Sequence, residues 1–403
     1  MDGPLSGVRV LAIENYLAGP VASMTMGDLG AEVIKIESEE GELSRLTPGP
    51  KHKGEASHYL SWNRNKKSIV LNLKTPSGKE ALYDLVKVSD VVINNFRPGV
   101  MERMGADHET LTKINPRIIS VNLTGMGPSG PNKDLPVVDS TAAGLSGLLS
   151  VTGEPNGRPV RPGPAVCDFT CALYGAIATI SALYQRERTG VGQNIDVPLL
   201  AAGVALMGYH IAYYTCSGEV PQPLGSGYPF TAPFGAYKTK DGWIVLGPCW
   251  PRIAYAIGAD WLVDDPRFAR DEDRLKNRQE LDKEVEKYFL QATTEEWLTI
   301  LRMQNIISGP LYTVDRTVDD PQVNHLNMIL NIEHSLGGRV RLAGNPIMMP
   351  SLKGKHLPPP TLGQHTNEVL ADVLGYSKDK IKKIREEQES HVQETRKPTG
   401  EEK

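Results

Sequence analysis

Apolar residues in the first third of this chain fall into short runs separated by amphipathic stretches. Val8-Arg9-Val10-Leu11-Ala12-Ile13 predicts a strand, and a loop over 14–20 leads into helical spacing that Gly30 ends. Ala31-Glu32-Val33-Ile34-Lys35-Ile36 predicts a second strand. Residues 68–73, 91–93 and 118–121 predict three more, with a helix over 77–88. Strands alternating with helices of about 10–15 residues predict a parallel sheet covered by helices. Such sheets bind ligands beyond the carboxyl ends of their strands. The loops at 14–20 and 94–99 stand at such ends.

Further on, 139–150 and 168–188 predict helices rich in small residues. Gly144, Ser146 and Gly147 in the first, and Gly175, Ala176 and Ala178 in the second, permit close helix contact or ligand approach alike. Gly190 and Gly192 stop the second helix. Gly, Pro and Ser dominate 217–235, and 237–246 reads as a hairpin about an Asp-Gly turn. Helical spacing returns at 272–292 and 294–303, and strand-like segments lie near 330–345. Pro358-Pro359-Pro360 is a stiff connector, a last helix runs from Asn367, and 396–403 is expected to be disordered. The expected fold is α/β. A large Rossmann-like parallel-sheet domain spans 1–200 and a linker spans 201–224. A smaller α+β domain spans 225–330, and 331–403 returns to the large domain.

The chain has 403 residues, 40% hydrophobic and 23% charged, with a net charge of −4. That is an ordinary globular balance without the basic excess a nucleic-acid footprint needs. Cys167, Cys171, Cys216 and Cys249 form no CxxC pair. They read as free thiols of a reducing cytosol and not as a metal site. The N-terminus does not resemble a signal peptide, and no apolar run is expected to reach the ~20 residues of a membrane span. These features predict a cytoplasmic protein with neither nucleic-acid nor membrane partners.

The first strand is followed by Glu14-Asn15-Tyr16-Leu17-Ala18-Gly19-Pro20 and not by GxGxxG. That argues against a dinucleotide on the usual pyrophosphate loop. GxSxG, GxxxxGK[ST] and HExxH are also missing, and the nine histidines are scattered. Carboxylates and backbone amides remain as chemical resources. The most informative residue is Asp168, in Gly163-Pro164-Ala165-Val166-Cys167-Asp168-Phe169-Thr170 just ahead of a helix. An Asp there can cap the helix. It can also stay ionised at the positive helix end and act as a nucleophile that forms an acyl intermediate.

A series of motifs in order resembles one family. They are Leu17-Ala18-Gly19-Pro20, Asp28-Leu29-Gly30-Ala31-Glu32-Val33-Ile34-Lys35-Ile36-Glu37, Asn63-Arg64-Asn65-Lys66-Lys67-Ser68-Ile69-Val70-Leu71 and Asn95-Phe96-Arg97-Pro98-Gly99. After Asp168 come Gly190-Val191-Gly192-Gln193, Asp241-Gly242-Trp243, Asp265-Pro266-Arg267-Phe268, Asp320-Pro321-Gln322-Val323 and Leu362-Gly363-Gln364-His365-Thr366. Each is weak alone, but the ordered set spans nearly the whole chain. It resembles the class III coenzyme A transferases, the formyl-CoA and carnitine CoA-transferase type, which are related to α-methylacyl-CoA racemases.

The resemblance implies CoA transfer from an acyl-CoA donor, succinyl-CoA by family habit, to a carboxylic acid. Transfer would run through mixed anhydrides and an aspartyl-CoA thioester on Asp168. It implies an acidic site residue at Asp139, to orient the anhydride or hold a proton; by residue type alone Asp139 is equally a helix N-cap. Leu17 and Ala18 would meet the pantetheine through their backbone. Lys74, Asn95, Phe96, Arg103 and Met104 would surround the nucleotide. Amides near Leu17 and Ala18 and in the loop Gly225, Ser226 and Gly227 would stabilise oxyanions. The CoA thioester would be a substrate, with no permanent cofactor and no metal, and the protein an interlocked homodimer. Departures narrow the reading. Val138 stands where the racemases need a histidine. Leu17 replaces a glutamine of the oxalate enzymes, the 225–227 loop is shorter than their glycine run, and Ser38 replaces a basic residue. The alternatives are an acyl-CoA racemase, CoA transfer within one dicarboxylate, or a CoA-binding subunit without activity.

Overall fold

A computed structural model describes residues 3–352, 354 and 356–396. The chain forms two compact units. One contains the chain up to Ser146, Gly163–Met207 and the chain from His325; the other contains Gly147–Pro162 and Gly208–Asn324.

The first unit runs β1 (Arg9–Ile13), α1 (Ala18–Asp28), β2 (Glu32–Glu37), β3 (Lys66–Val70), α2 (Pro76–Lys87) and β4 (Val91–Asn94). It continues through α3 (Val100–Met104), α4 (His108–Ile114), β5 (Ile119–Asn122), α5 (Asp139–Leu145), α6 (Val166–Thr189), β6 (Asn194–Asp196) and α7 (Leu199–Leu206). All six strands form one parallel sheet in the order β3-β2-β1-β4-β5-β6. The winding direction reverses between β1 and β4, which opens a crevice at their carboxyl ends. Leu11, Ile34, Ile69, Val92 and Ile118 share one core cluster, as expected of strands covered on both faces. Local chemistry sets the element ends. Thr75 caps α2 by accepting from the Gly78 N–H at 3.1 Å, with Pro76 in the first turn. Gly30 has φ +102°, and a Cβ there would stand 2.9 Å from Gly3.

The last segment returns to this unit. β10 (Ile329–Glu333) pairs antiparallel with β11 (Arg339–Ala343), and its Ile332 and Val340 pack on Ala56, Tyr59 and Leu60. Helix α11 (Lys378–Arg396) places Ile381 and Ile384 in the sheet's core. In chain order before these, the second unit holds α8 (Gly208–Ser217), strands β7 (Gly235–Lys238) and β8 (Trp243–Leu246), helices α9 (Arg278–Phe289) and α10 (Thr294–Met303), and β9 (Ser308–Pro310). Its three strands are antiparallel, and its core contains Tyr237, Ile244, Phe268, Leu281, Phe289 and Trp297.

Several expectations change. Residues 201–224 are mostly α7 and α8, not a linker, and the smaller unit also takes in Gly147–Pro162. The helix expected over 139–150 breaks at Gly147, whose φ of +85° is left-handed. The one expected over 272–292 breaks at Asn277. Strand β6 went unread because it is three residues long and not fully buried. Arg396 closes a helix, and the rest of the expected disordered tail lies outside the described residues. Helix α6, with 24 residues and a mean hydropathy of 1.6 over an 18-residue stretch, is also long and apolar enough to cross a membrane. It nevertheless buries Cys171, Ala172, Gly175, Ala176, Thr179 and an ion-paired Arg186, the pattern of a core helix.

One buried ion pair joins the start of the sheet to the return segment. Arg64 donates from Nε to Asp28 Oδ1 at 2.9 Å and from Nη1 to the Ala343 carbonyl at 2.8 Å, and its Nη2 bonds the other Asp28 oxygen. Both side chains are 2% exposed. Arg64→Met should therefore cost the first unit about 3–5 kcal/mol, because it leaves a buried carboxylate without its cation. Urea unfolding against an exposed control, Lys87→Ala, measures this; equal stabilities would contradict it.

Candidate active site

A cavity of about 820 Å³ opens at the carboxyl ends of β1 to β4, where the switch in winding places it. Lys74, Phe96, Arg103 and Met104, four of the residues expected around a nucleotide, line it together with Lys79. Val100, Arg103 and Met104 share one face of α3 by their spacing. That helix is framed by Gly99 at φ +83° and Gly105 at φ +70°, positions that favour glycine. Phe96 and Met104 also pack against the sheet core, so Phe96 serves both as core and as cavity wall. Among the described residues, Lys74, Lys79 and Arg103 are in no ion pair, which leaves three cations available to an anionic ligand.

Asn95 has a different task from the one expected. Its Oδ1 accepts from the Asn15 N–H at 2.8 Å and its Nδ2 donates to the Asn15 carbonyl at 2.6 Å. The side chain thus clamps the loop after β1. Tyr16, next in that loop, has φ +65°, uncommon for a non-glycine residue, and donates its N–H to Glu42. Leu17 is then the N-cap residue of α1 and Ala18 its first helical residue, both buried, with no side chain capping the helix.

Beneath the loop lies a charge cluster that sequence reading passed over. Glu14 Oε1 accepts from Lys66 Nζ at 2.8 Å and Ser23 Oγ at 2.8 Å, with Lys35 Nζ at 3.4 Å. Burial pushes the Glu14 carboxyl up, but the two lysines outweigh it and hold the group below its ordinary range. Burial pulls Lys66 down to about 8, partly offset by Glu14. Lys66 itself is 1% exposed.

Asp168 stands at the third position of α6, not at its N-cap, which is Ala165 and makes no side-chain cap bond. The cap comes from another helix. Asp139 Oδ1 accepts from the Cys167 N–H at 2.9 Å and from the Asp168 N–H at 3.2 Å. Asp139 therefore does not cap its own helix, where it follows the N-cap Val138. It satisfies two open donors at the head of α6 and fixes the backbone of Asp168 itself. Cys167 is no competing nucleophile. Burial, with the nearby carboxylates of Asp139 and Asp168, pushes its thiol up to about 11. Phe169 meets Trp62 edge to face at 5.0 Å.

The loop Gly225, Ser226 and Gly227 lies in the second unit and borders a cavity of about 860 Å³. Gly225 donates its N–H to the Gly153 carbonyl at 2.8 Å, and Gly227 donates to the Leu224 carbonyl at 2.9 Å. These two amides are therefore engaged within the unit and do not offer the oxyanion donors expected of them. Ser226 Oγ accepts from the Ala236 N–H at 2.8 Å. Arg278, which no sequence motif marked, lies behind the loop and bonds the carbonyls of Tyr228 and Thr231.

If Asp139 acts as the cap of α6, Asp139→Asn should keep an acceptor and most of the stability. Asp139→Ala should lose about 0.5–2 kcal/mol, the usual cost of a lost cap. Thermal unfolding of both variants checks the order; equal losses would show that the two hydrogen bonds are not what Asp139 contributes.

Residues 5–366 match the family described as CoA-transferase family III. The chain is 36% identical over 379 residues to human succinyl-CoA:glutarate CoA-transferase, covering 93% of this chain and 86% of that protein. It is 34% identical over 382 residues to the succinate–glutarate CoA-transferase of Agrobacterium fabrum, covering 92% and 96%. Its fold matches the crystal structure of a CAIB/BAIF family protein from Brucella suis with a TM-score of 0.83 at 32% identity, over 93% of this chain and 100% of that one. With the motif order, the doubly wound sheet and the crevice at its switch point, these likenesses settle the class: the chain belongs to CoA-transferase family III and is a transferase that moves CoA between carboxylic acids.

Proposed function

We propose that this enzyme transfers CoA from succinyl-CoA to a dicarboxylic acid of similar size, glutarate being the first candidate, with Asp168 as the nucleophile. The observation that carries the nucleophile is the fixed backbone of Asp168 at the head of a 24-residue helix, held by Asp139 Oδ1. The helix end favours the ionised carboxylate. The acids named for the human and Agrobacterium relatives support the substrate pair.

The cycle balances without added reagents. The Asp168 carboxylate attacks the donor thioester carbonyl, giving a mixed anhydride and CoA thiolate. The thiolate attacks the Asp168 carbonyl of that anhydride, releasing the donor acid and leaving an aspartyl-CoA thioester. The acceptor carboxylate attacks this thioester, forming a second anhydride and freeing the thiolate again. Attack of the thiolate on the acceptor carbonyl then yields the new acyl-CoA and the Asp168 carboxylate. No net proton moves, and exclusion of water preserves the energy of the thioester. The CoA thioester is a substrate and not a resident cofactor. Its nucleotide end occupies the 820 Å³ cavity, where Lys74 and Arg103 meet phosphate and Phe96 and Met104 flank the base. Leu17 and Ala18 guide the pantetheine, and Asn95 holds their loop.

Val138, directly before Asp139, has no proton to exchange, which disfavours racemisation. We further propose a homodimer in a reducing cytoplasm. Leu173, Ile177, Ile180 and Tyr184 repeat along α6 at helical spacing and are 49%, 59%, 36% and 63% exposed, an apolar stripe that a second copy would cover. The four cysteines are free thiols.

Incubation with succinyl-CoA followed by hydroxylamine or borohydride should modify the peptide carrying Asp168, and Asp168→Ala should abolish both the adduct and transfer. Exchange of the α-hydrogen of an acyl-CoA without an adduct would overturn the transferase mechanism in favour of racemisation. Sedimentation equilibrium should give a dimer; a monomer at micromolar concentration would contradict the assembly proposed.

A further inference from the structure

One buried ammonium group links the two ends of the loop that carries Leu17. Lys66, the first residue of β3, donates from Nζ to Glu14 Oε1 at 2.8 Å, just past β1. It also donates to the Pro20 carbonyl at 3.0 Å, in the first turn of α1, and to Asn63 Oδ1 at 2.9 Å. An ammonium has three donors, so all of them are engaged. The two ends of the loop are in contact: a Cβ on Gly19 would stand 2.7 Å from Glu14 Cβ.

Between those ends the backbone is held against its preference. Tyr16 has φ +65°, a conformation that persists where the surroundings over-determine it. Asn95 clamps Asn15, and Glu42 accepts the Tyr16 N–H. Lys66 holds the residues on either side of this segment. The charged groups around Lys66 are Glu14, Lys35 on β2 and Glu42 beyond β2. Lys35 Nζ lies 3.4 Å from Glu14 Oε1 and 3.7 Å from Glu42 Oε1, and Glu37 pairs with Arg45 at 2.7 Å. Helix α1 contributes the Ser23 hydroxyl, which donates to Glu14 Oε1 at 2.8 Å.

We propose that Lys66 is a positioning residue for the CoA thioester, whose ammonium holds the loop from Glu14 to Pro20 in the shape that receives the pantetheine. The inference rests on the placing of the pantetheine along Leu17 and Ala18. A neutral amine has two donors for the three acceptors now served. Losing the proton also removes a positive charge from beside a buried carboxylate. Burial brings that loss down to about 8, partly offset by Glu14. The clamp is therefore complete below that value and loosens as pH rises through it.

The test reads the loop and the ligand separately on the full-length protein. Hydrogen exchange at one neutral pH follows the amides of 15–19, and calorimetry with CoA follows binding from about pH 7 to about pH 9, a span that brackets the lysine step. The variants are Lys66→Met and the double change Glu14→Met with Lys66→Met. The double change replaces the pair by apolar side chains of similar length, which buried pairs commonly tolerate, and so guards against a folding defect. Lys67→Met is the control, because Lys67 pairs instead with Glu32 at 3.0 Å and Glu368 at 2.8 Å.

Both Lys66 variants should speed exchange of the loop and weaken CoA about 3- to 10-fold at neutral pH, the scale of one lost hydrogen bond. Wild type and Lys67→Met should weaken by the same factor only as pH passes about 8, a step the Lys66 variants lack. Glu14→Gln keeps an acceptor but removes the charge that favours the ammonium, and should move the step to lower pH. Exchange and CoA binding like wild type in the folded double variant overturn the proposal. A pH step that the double variant retains also overturns it, since the step then belongs to another group. Faster exchange with unchanged CoA binding overturns it differently: the clamp stands, and the placing of the pantetheine on this loop fails.

Discussion

One carboxylate oxygen, Asp139 Oδ1, sets the geometry on which the proposed chemistry depends. It accepts from two successive amides, those of Cys167 and Asp168, where α6 begins. A helix that starts after Ala165 has no capping side chain of its own, so its first donors need an acceptor from elsewhere. Supplying it from α5 ties two helices together and fixes where the Asp168 side chain leaves the backbone. A nucleophile that must swing little between its thioester and anhydride states gains from such anchoring. The small residues Gly175 and Ala176 then let α6 lie close to the sheet, where a Cβ on Gly175 would reach within 2.8 Å of Leu123.

The same economy holds at the switch point of the sheet. Charges beneath the crevice are paired with one another: Glu14 with Lys66 and Lys35, and Glu37 with Arg45. The cations left over, Lys74, Lys79 and Arg103, line the cavity itself. The buried pairs stiffen the loop and strand ends, while the unpaired set remains for a ligand's phosphates.

Much of this was legible in the sequence, for identifiable reasons. Five of the sheet's six strands announced themselves because strands buried on both faces need continuous apolar runs. Asp168 stood out by its place ahead of a helix, and the family resemblance implied Lys74, Phe96, Arg103 and Met104, which do line one cavity. What escaped was long-range or weakly patterned. Asp139 acts on amides 28 and 29 residues away, which no local rule for caps can foresee. Asn95 was expected at the ligand from the family resemblance, yet its side chain clamps the backbone of Asn15. The donors expected at Gly225 and Gly227 are occupied by carbonyls that only the folded loop brings near. Helices α7 and α8 were hidden by the Gly, Pro and Ser that follow them.

The central claim, covalent transfer through Asp168, is tested most directly by following oxygen. In the proposed cycle the acceptor carboxylate oxygen that attacks the aspartyl thioester becomes the anhydride bridge. It stays with Asp168 when the thiolate attacks the acceptor carbonyl. A first turnover with a heavy-oxygen-labelled acceptor acid should therefore place one heavy oxygen in the peptide containing Asp168, and further turnovers up to two, read by mass spectrometry after digestion. Repeated turnover that leaves this peptide unlabelled would contradict the account and would mean that CoA moves without an anhydride on Asp168.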